Sequence, residues 1–454
     1  MSEPLAISVS AGNPDWAWAR YAPDMAHPWN LQRAAHLCRR AGFGADWAEL
    51  QTVLTDGPQE SVTKFLKTDA ETARFNELYD GYERSSARTA GGLSAWWLRR
   101  MIETPQPLLE RMTLFWHGYF GISNARVGNP EVVCRRLHEL RGHAWGRFDR
   151  LLGATVKNPA VLLSLNARNS HKARPETDLA RALLEDFTVG AGPWSEPDLQ
   201  ATARALTGWH VSQWEVGFNP DEHDGGPKTL LGETGNWGRE DVVRILLKQP
   251  TTARHVVERV CQWFISESNP PPENVVAPLA ASFAKDYDLG LLVETVLRSN
   301  LFFSALGERI KSPVDFAVGL VRAFGARVPT LRLAEDLTTL GQDLLEPPTV
   351  KGWGGGRHWI NRFTLLGRAR LAQELLADAG AYAGKLEPET VAAKHGQGST
   401  DAAPVFLFRL LVQEGVAEET RSALLQRLTS ASPPQERLRR LAALIATLPE
   451  FNLA

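Results

Sequence analysis

The sequence predicts a mainly α-helical protein: a large multi-helical assembly with long Gly- and Trp-rich loops and at most a small β-hairpin. Almost every periodic stretch repeats its apolar residues at three- and four-residue steps, the period of a helix face, and alternating strand-type runs are scarce. Capping and stop residues bound several of these stretches. Two segments, at about 209–239 and 347–361, break the pattern with Gly, Pro and Trp. At 454 residues the chain can bury a large core.

Taken in order, helices are expected at about Asn30–Arg40 and Ala90–Glu103. From Pro107 to Phe120, Leu108, Met112, Trp116 and Phe120 form one stripe, and Pro107 suits a first turn that needs no amide donor. Over 131–156 one long amphipathic helix is expected, because Val133, Leu137, Leu140, Ala144, Phe148 and Leu151 keep helical step throughout. Further helices are expected at Thr177–Val189 and Glu196–Thr207, the second capped by Ser195 with Asp198 three residues on and stopped by Gly208. The polar stretch that follows is too Gly-rich for helix, and a small hairpin pairing 214–218 with 228–231 is its expected strand content. Loops of this length are usually functional. Helices resume at Glu240 and at Thr252, where Val256, Val260 and Phe264 make a stripe, and again from Phe363 to Ala379. The expected organisation is a main helical domain over 28–383, a linker over 384–403 and a C-terminal helical cap over 404–454 packing on it.

Composition narrows the function. The 50 basic and 52 acidic residues nearly cancel, so no electrostatic case exists for a nucleic-acid or anionic-membrane binder. Cys38, Cys134 and Cys261 stand far apart without a CxxC pair; they indicate neither a disulfide framework nor a zinc-thiolate site, and read as small buried hydrophobes. No basic, apolar leader and no 18-residue apolar run occurs, which predicts a cytoplasmic protein without membrane insertion. Fifteen Trp against six Tyr is unusual. Trp in polar segments such as WHVSQWEVGF either lines a cleft or a partner surface, or plugs gaps between helices.

Several polar residues are candidates for chemistry. His117 and His143 sit on successive helical segments, and with Glu185 or Asp186 they could form a histidine–carboxylate cluster of the kind that holds zinc or iron in helical bundles. Neither has Glu-x-x-His spacing, so interior histidines holding helices in register is the competing reading, and no metal ligand is assigned. Asp178, Arg181 and Glu185 stack at helical spacing, either as a solvated ladder or as a carboxylate held by a guanidinium. His223, Asp224 and Lys228 surround Gly225 and Gly226 in the long loop, close to Trp209. In KGWGGGRHWINR, the glycines let backbone amides converge while Lys351, Trp353, Arg357 and His358 add charge and an aromatic face. Anion binding and plain turn chemistry both fit that segment. GxSxG, HExxH, EF-hand and CxxC patterns are absent from the sequence.

The blocks HLCRRAGFG, ERMTLFWHGYF, LRGHAWGRFDRLL, DLARALLEDFTVG, ARALTGW, HDGGPKTLLG, IKSPVDF, GQDLLEPPTVKGWGGGRHWIN and LPEFNLA span most of the chain. In content and order they resemble the bacterial domain-of-unknown-function-1800 family. The resemblance implies a helical fold and no established activity. Family members often carry export signals and are often encoded beside a sulfatase-like family, which implies a protein partner of that kind. Where the family usually reads PNENFARELLELFTLG, this chain has PETDLARALLEDFTVG from Pro175 to Gly190. Thr177 and Ala182 replace two family glutamates, while Arg181 and Glu185 keep motif positions.

The expected function is acid–base or metal-assisted chemistry on a small polar or saccharide-like ligand. Its cleft is walled by His117, His143, Arg181 and Glu185 and covered by the loops of His223/Lys228 and Trp353–His358. The alternative is a non-catalytic binding or scaffold protein that meets a partner through its Trp-rich loops. The sequence names no cofactor and leaves open whether the chain is an enzyme.

Overall fold

A computed structural model describes residues 12–413, 415–428 and 433–454. Among them, 25 α-helices and two small two-stranded antiparallel sheets make a mainly α fold. No helix among the described residues is long and apolar enough to cross a membrane.

Two helices form the centre. Pro107–Phe120 buries residues on all its faces, from Leu108 and Met112 to Glu110, Arg111 and His117, and every residue of Pro313–Ala323 is buried. A helix with no solvated face needs neighbours all round. The first packs against Trp47–Leu66, Ala90–Glu103 and Pro130–Gly142, the second against Ala90–Glu103, Thr330–Thr339, Arg362–Leu376 and Ala402–Leu411. Charged groups carried into this interior are ion-paired: Arg111 bonds Asp315 across the two central helices, and Glu110 bonds both Arg100 and Arg141. The segment 384–403 carries the helix Pro388–Lys394, which packs on Ala402–Leu411 and Pro434–Ala446.

Marked boundaries fall where expected. Ser195 and Asp198 form a capping box at the start of Glu196–Ala205, and Asn30 caps Leu31–Arg40 through the Arg33 N–H at 3.1 Å. Three elements differ. The single helix expected over 131–156 is two, Pro130–Gly142 and Phe148–Thr155. The link between them is bonded to other segments: Trp116 Nε1 donates to Ala144 O at 3.0 Å, and Phe148 N to Tyr287 O and Leu289 N to Gly146 O, each at 2.9 Å. Both pieces face the same core, so the apolar rhythm runs through the break.

The helix expected over 177–189 is α only from Asp178 to Arg181 and then widens into a π-helix, Ala182–Phe187. Its last carbonyls are taken from outside, Phe187 O by Tyr119 Oη and Asp186 O by His255 Nε2, both at 2.9 Å. The expected 214–218/228–231 hairpin is replaced by two local ones. Trp209–Ser212 pairs with Glu215–Phe218, and Lys228–Leu230 with Glu233–Gly235. Each closes through two residues of positive φ, Gln213/Trp214 and Leu231/Gly232, the geometry that matches strand twist in a two-residue turn.

Candidate functional site

The Gly-rich segment after Pro348 is locked onto the central helix by backbone fit. Gly352 has φ +79°, and a Cβ there would overlap the carbonyl of Gly118. Gly121, which ends the Pro107–Phe120 helix at φ +51°, faces the Val350 carbonyl in the same way. The chain then turns through Gly355 and Gly356, both at positive φ, and Glu267 accepts the Gly356 N–H while its other oxygen takes Arg309 Nε at 3.1 Å. Arg309 also bonds Trp263 O at 3.1 Å.

Beneath this loop lies a cavity of about 190 Å³ whose walls include Tyr119, Arg259, Trp263, Gln342, Trp353 and Trp359. The indole N–H groups of Trp263 and Trp359 are buried and have no partner among the described residues. Arg259 lies over the Tyr119 ring at 5.5 Å, and its polar contact is a 3.4 Å bond to Lys351 O. Among the described residues no carboxylate stands within ion-pair distance of it. Behind the wall, Arg309 and Arg111 approach the Trp263 ring to 4.2 and 4.7 Å. Burial alone would raise the Asp315 carboxyl, but Arg111 and Arg309 hold it down to about 2. The cavity therefore offers hydrogen-bond donors, aromatic faces and positive charge, which together suit an anionic or hydroxyl-rich ligand.

The expected site residues separate into groups. Lys351 and Trp353 line the cavity. Glu185 stands at its edge, bonded to Lys351 Nζ at 2.9 Å, with Asp186 3.6 Å from the same nitrogen. Burial raises the Asp186 pKa against the pull of Lys351. Arg181 does not hold Glu185; it is exposed and lies over Trp194 at 5.7 Å, because the wider π turn ends the four-residue register between them. His117 is fully buried under the cleft, 5.3 Å from the Trp97 ring and 5.9 Å from Trp353. His143 caps its helix at the start of the link to Phe148, and the expected cluster of His117, His143 and Glu185 or Asp186 does not form among the described residues.

The long-loop candidates close on themselves. Asp224 takes Arg204 bidentately at 2.6 and 3.2 Å, the buried Lys228 bonds the carbonyls of Asp224 and Gly226, and His223 Nδ1 meets Thr207 O at 2.9 Å. Trp209 carries Arg239 over its ring at 3.2 Å and lines a separate open pocket with His171 and His210. Arg357 and His358 are exposed, and His358 Nδ1 lies 3.1 Å from Gly355 O.

Arg259, Trp263, Glu267 and Arg309 lie outside the expected site residues, as do Gln342 and Trp359, although both belong to GQDLLEPPTVKGWGGGRHWIN. Their one sequence signal is the four-residue step from Arg259 to Trp263, beside the stripe of Val256, Val260 and Phe264.

The family described as "Protein of unknown function (DUF1800)" matches residues 36–453. The chain belongs to the DUF1800 family. No curated protein and no solved structure matches it. In this DUF1800 chain, blocks far apart in sequence converge on the cleft. ERMTLFWHGYF supplies Phe115, Gly118 and Tyr119, IKSPVDF supplies Ser312, and GQDLLEPPTVKGWGGGRHWIN supplies Gln342 and the covering loop.

Burial also gives the fold a pH dependence. It holds the His117 pKa at about 4, against a smaller opposing pull from the Leu344 backbone, and pushes His36 well below its ordinary value. An unfolded imidazole takes up its proton near 6.5. The unfolded chain thus binds more protons between about pH 6.5 and 4, and stability falls on acidification across that window. The loss is expected to reach about 3 kcal/mol for His117 alone. Urea unfolding at several pH values checks this, and His117→Gln should flatten the slope.

Proposed function

We propose that this DUF1800 protein binds a small, anionic, hydroxyl-rich ligand, a sugar acid in chemical class, in the cleft beneath the Gly-rich loop. The observation that carries this reading is the pair of indole N–H donors of Trp263 and Trp359, buried and without a partner among the described residues, beside Arg259, which has no carboxylate partner among them. A buried donor left without an acceptor costs about 1–3 kcal/mol, and a ligand oxygen that reaches either indole after a small ring shift offsets that cost. Arg259 suits a carboxylate, and the ring of Trp353 suits the apolar face of a sugar. If the bound ligand is transformed, Asp186 and Lys351 are the acid–base pair at the edge of the cleft.

Titrating D-glucuronate into the protein while following tryptophan fluorescence tests the reading. Saturable binding is expected, with D-glucose weaker. Arg259→Ala should raise Kd by about 10-fold or more, the equivalent of roughly 1.4 kcal/mol, and leave stability unchanged. Trp359→Phe, which removes the N–H and keeps most of the ring, should weaken binding severalfold. Equal binding by Arg259→Ala, or no saturable signal with glucuronate, would defeat the proposal.

A second reading has its own observation. The Arg362–Leu376 helix, which follows the loop directly, exposes Phe363 and Leu366 at 70 and 71%, an apolar edge suited to a protein partner such as a sulfatase-like protein. In that case Phe363→Ser/Leu366→Ser should abolish co-purification with a co-expressed sulfatase-like protein and leave the glucuronate titration intact.

A further inference from the structure

Away from the cleft, the helix Ala70–Ser86 brings Glu83 to Cys134 and His138 on Pro130–Gly142. One ligand-type atom from each of the three lies within 4.8 Å of the other two. We infer that these residues form a binding site for a divalent transition-metal ion, with zinc as the ion the ligand set favours.

Cys134 and His138 are four residues apart, so both project from one face of their helix a single turn apart, the spacing by which one helix gives two ligands to one ion. A thiolate, an imidazole and a carboxylate together suit zinc better than the hard, all-oxygen ions. Bonds of about 2.0–2.3 Å in a tetrahedral site set ligand atoms roughly 3.3–3.8 Å apart. Small side-chain rotations bring the three groups to that spacing.

The contact between the histidine and the carboxylate points the same way. His138 Nε2 is buried and lies 2.6 Å from Glu83 Oε2, so the imidazole and the carboxylate already face each other at the centre of the cluster. An ion bound there takes the place of the proton that the imidazole and the carboxylate share, the two groups moving slightly apart to hold it. The neighbouring guanidiniums of Arg100 and Arg141 are both bonded to Glu110, so neither competes with an ion for Glu83. The side chains of His138 and Glu83 are 30 and 23% exposed, which leaves a path for entry. Three protein ligands leave a fourth position for water or a substrate oxygen. The absence of a CxxC pair hides this site from a sequence search, because its thiolate partners are an imidazole one turn away and a carboxylate from another helix.

The test is reconstitution of the full chain with Co²⁺ or Zn²⁺ after chelation. One metal per chain by elemental analysis, and a thiolate-to-cobalt charge-transfer band in the Co²⁺ form, are expected. Cys134→Ser should abolish the band, and His138→Ala should weaken Zn²⁺ binding at least 10-fold. The wild-type cobalt spectrum decides the matter even if a variant folds poorly. A wild-type chain that retains no metal, or binds Co²⁺ without the thiolate band, overturns the inference, as does a band that survives in Cys134→Ser.

Discussion

Glu110→Gln is expected to lower the unfolding free energy by about 3–5 kcal/mol, the largest effect of any single substitution considered, because it leaves buried charge unpaired. Oε1 of Glu110 accepts from Arg100 Nε at 3.0 Å and Arg141 Nε at 2.8 Å, while Oε2 accepts from Arg141 Nη2 at 3.1 Å and Trp97 Nε1 at 3.0 Å. The carboxylate and the Arg100 side chain are each 1% exposed. Glutamine keeps the shape, loses the charge and presents an N–H₂ to guanidinium donors. Burial acts to raise the Glu110 pKa, but Arg141 and Arg100 outweigh it and hold it at about 2. Its stabilisation is therefore complete above the unfolded value near 4.3 and is lost as pH falls through about 2. That window lies below the one set by His117, so the wild type should lose stability in an upper and a lower pH range, and Glu110→Gln should keep the upper loss while its lower one shrinks to the share carried by Asp315. Urea unfolding at neutral pH measures the main effect; a loss below about 1 kcal/mol would show that the two arginines find other partners.

Gly352→Ala is expected to cost about 3 kcal/mol of stability and to abolish ligand binding. A side chain at φ +79° is disfavoured by about 1–2 kcal/mol, and its Cβ must displace the Gly118 backbone, a shift of the kind that adds about 1–3 kcal/mol. Gly118 carries Trp353 against it, with ring carbons 3.4 Å from where a Cβ would stand, so the displacement passes to the roof of the cleft. Gly354→Ala has no positive φ and is the comparison: the atoms nearest a Cβ there belong to the exposed His358 ring, which can swing aside, and stability should change by less than about 1 kcal/mol. Both are read by urea unfolding and by the glucuronate titration.

The fold was legible where local chemistry marks it. Pro107, the Ser195–Asp198 box and the glycines after helices set boundaries that neighbours do not override. The break at Gly142–Arg147 was not legible, because apolar spacing reports which side faces the core and says nothing of whether the chain stays helical. The π turn at Ala182–Phe187 was hidden for a related reason. The Tyr119 hydroxyl and the His255 ring that hold its carbonyls lie far off in sequence, and without them the α register linking Arg181 to Glu185 is the better guess.

The cleft was half legible. A glycine run flanked by Trp and basic residues marks a place where backbone meets something closely, and Lys351 and Trp353 do line it. Glu267, which fixes the run, and Arg309, which fixes Glu267, belong to other segments with no spacing signature. The tryptophan excess resolves two ways: Trp97 and Trp116 fill the core, whereas Trp263, Trp353 and Trp359 wall the cavity. The ionic cluster of His223, Asp224 and Lys228 looked like a site because sequence shows charges without their partners; here Arg204 and the loop's own carbonyls supply them.

The most direct test of the central claim, that the cleft under the Gly-rich loop is a ligand site, is a crystal structure of the protein soaked with D-glucuronate. The expected result is a ligand beneath Gly354 and Gly355, its carboxylate on Arg259 and one of its oxygens accepting from Trp359 Nε1. A structure in which glucuronate sits elsewhere, or in which Trp263 and Trp359 donate to the protein's own acceptors, would contradict it.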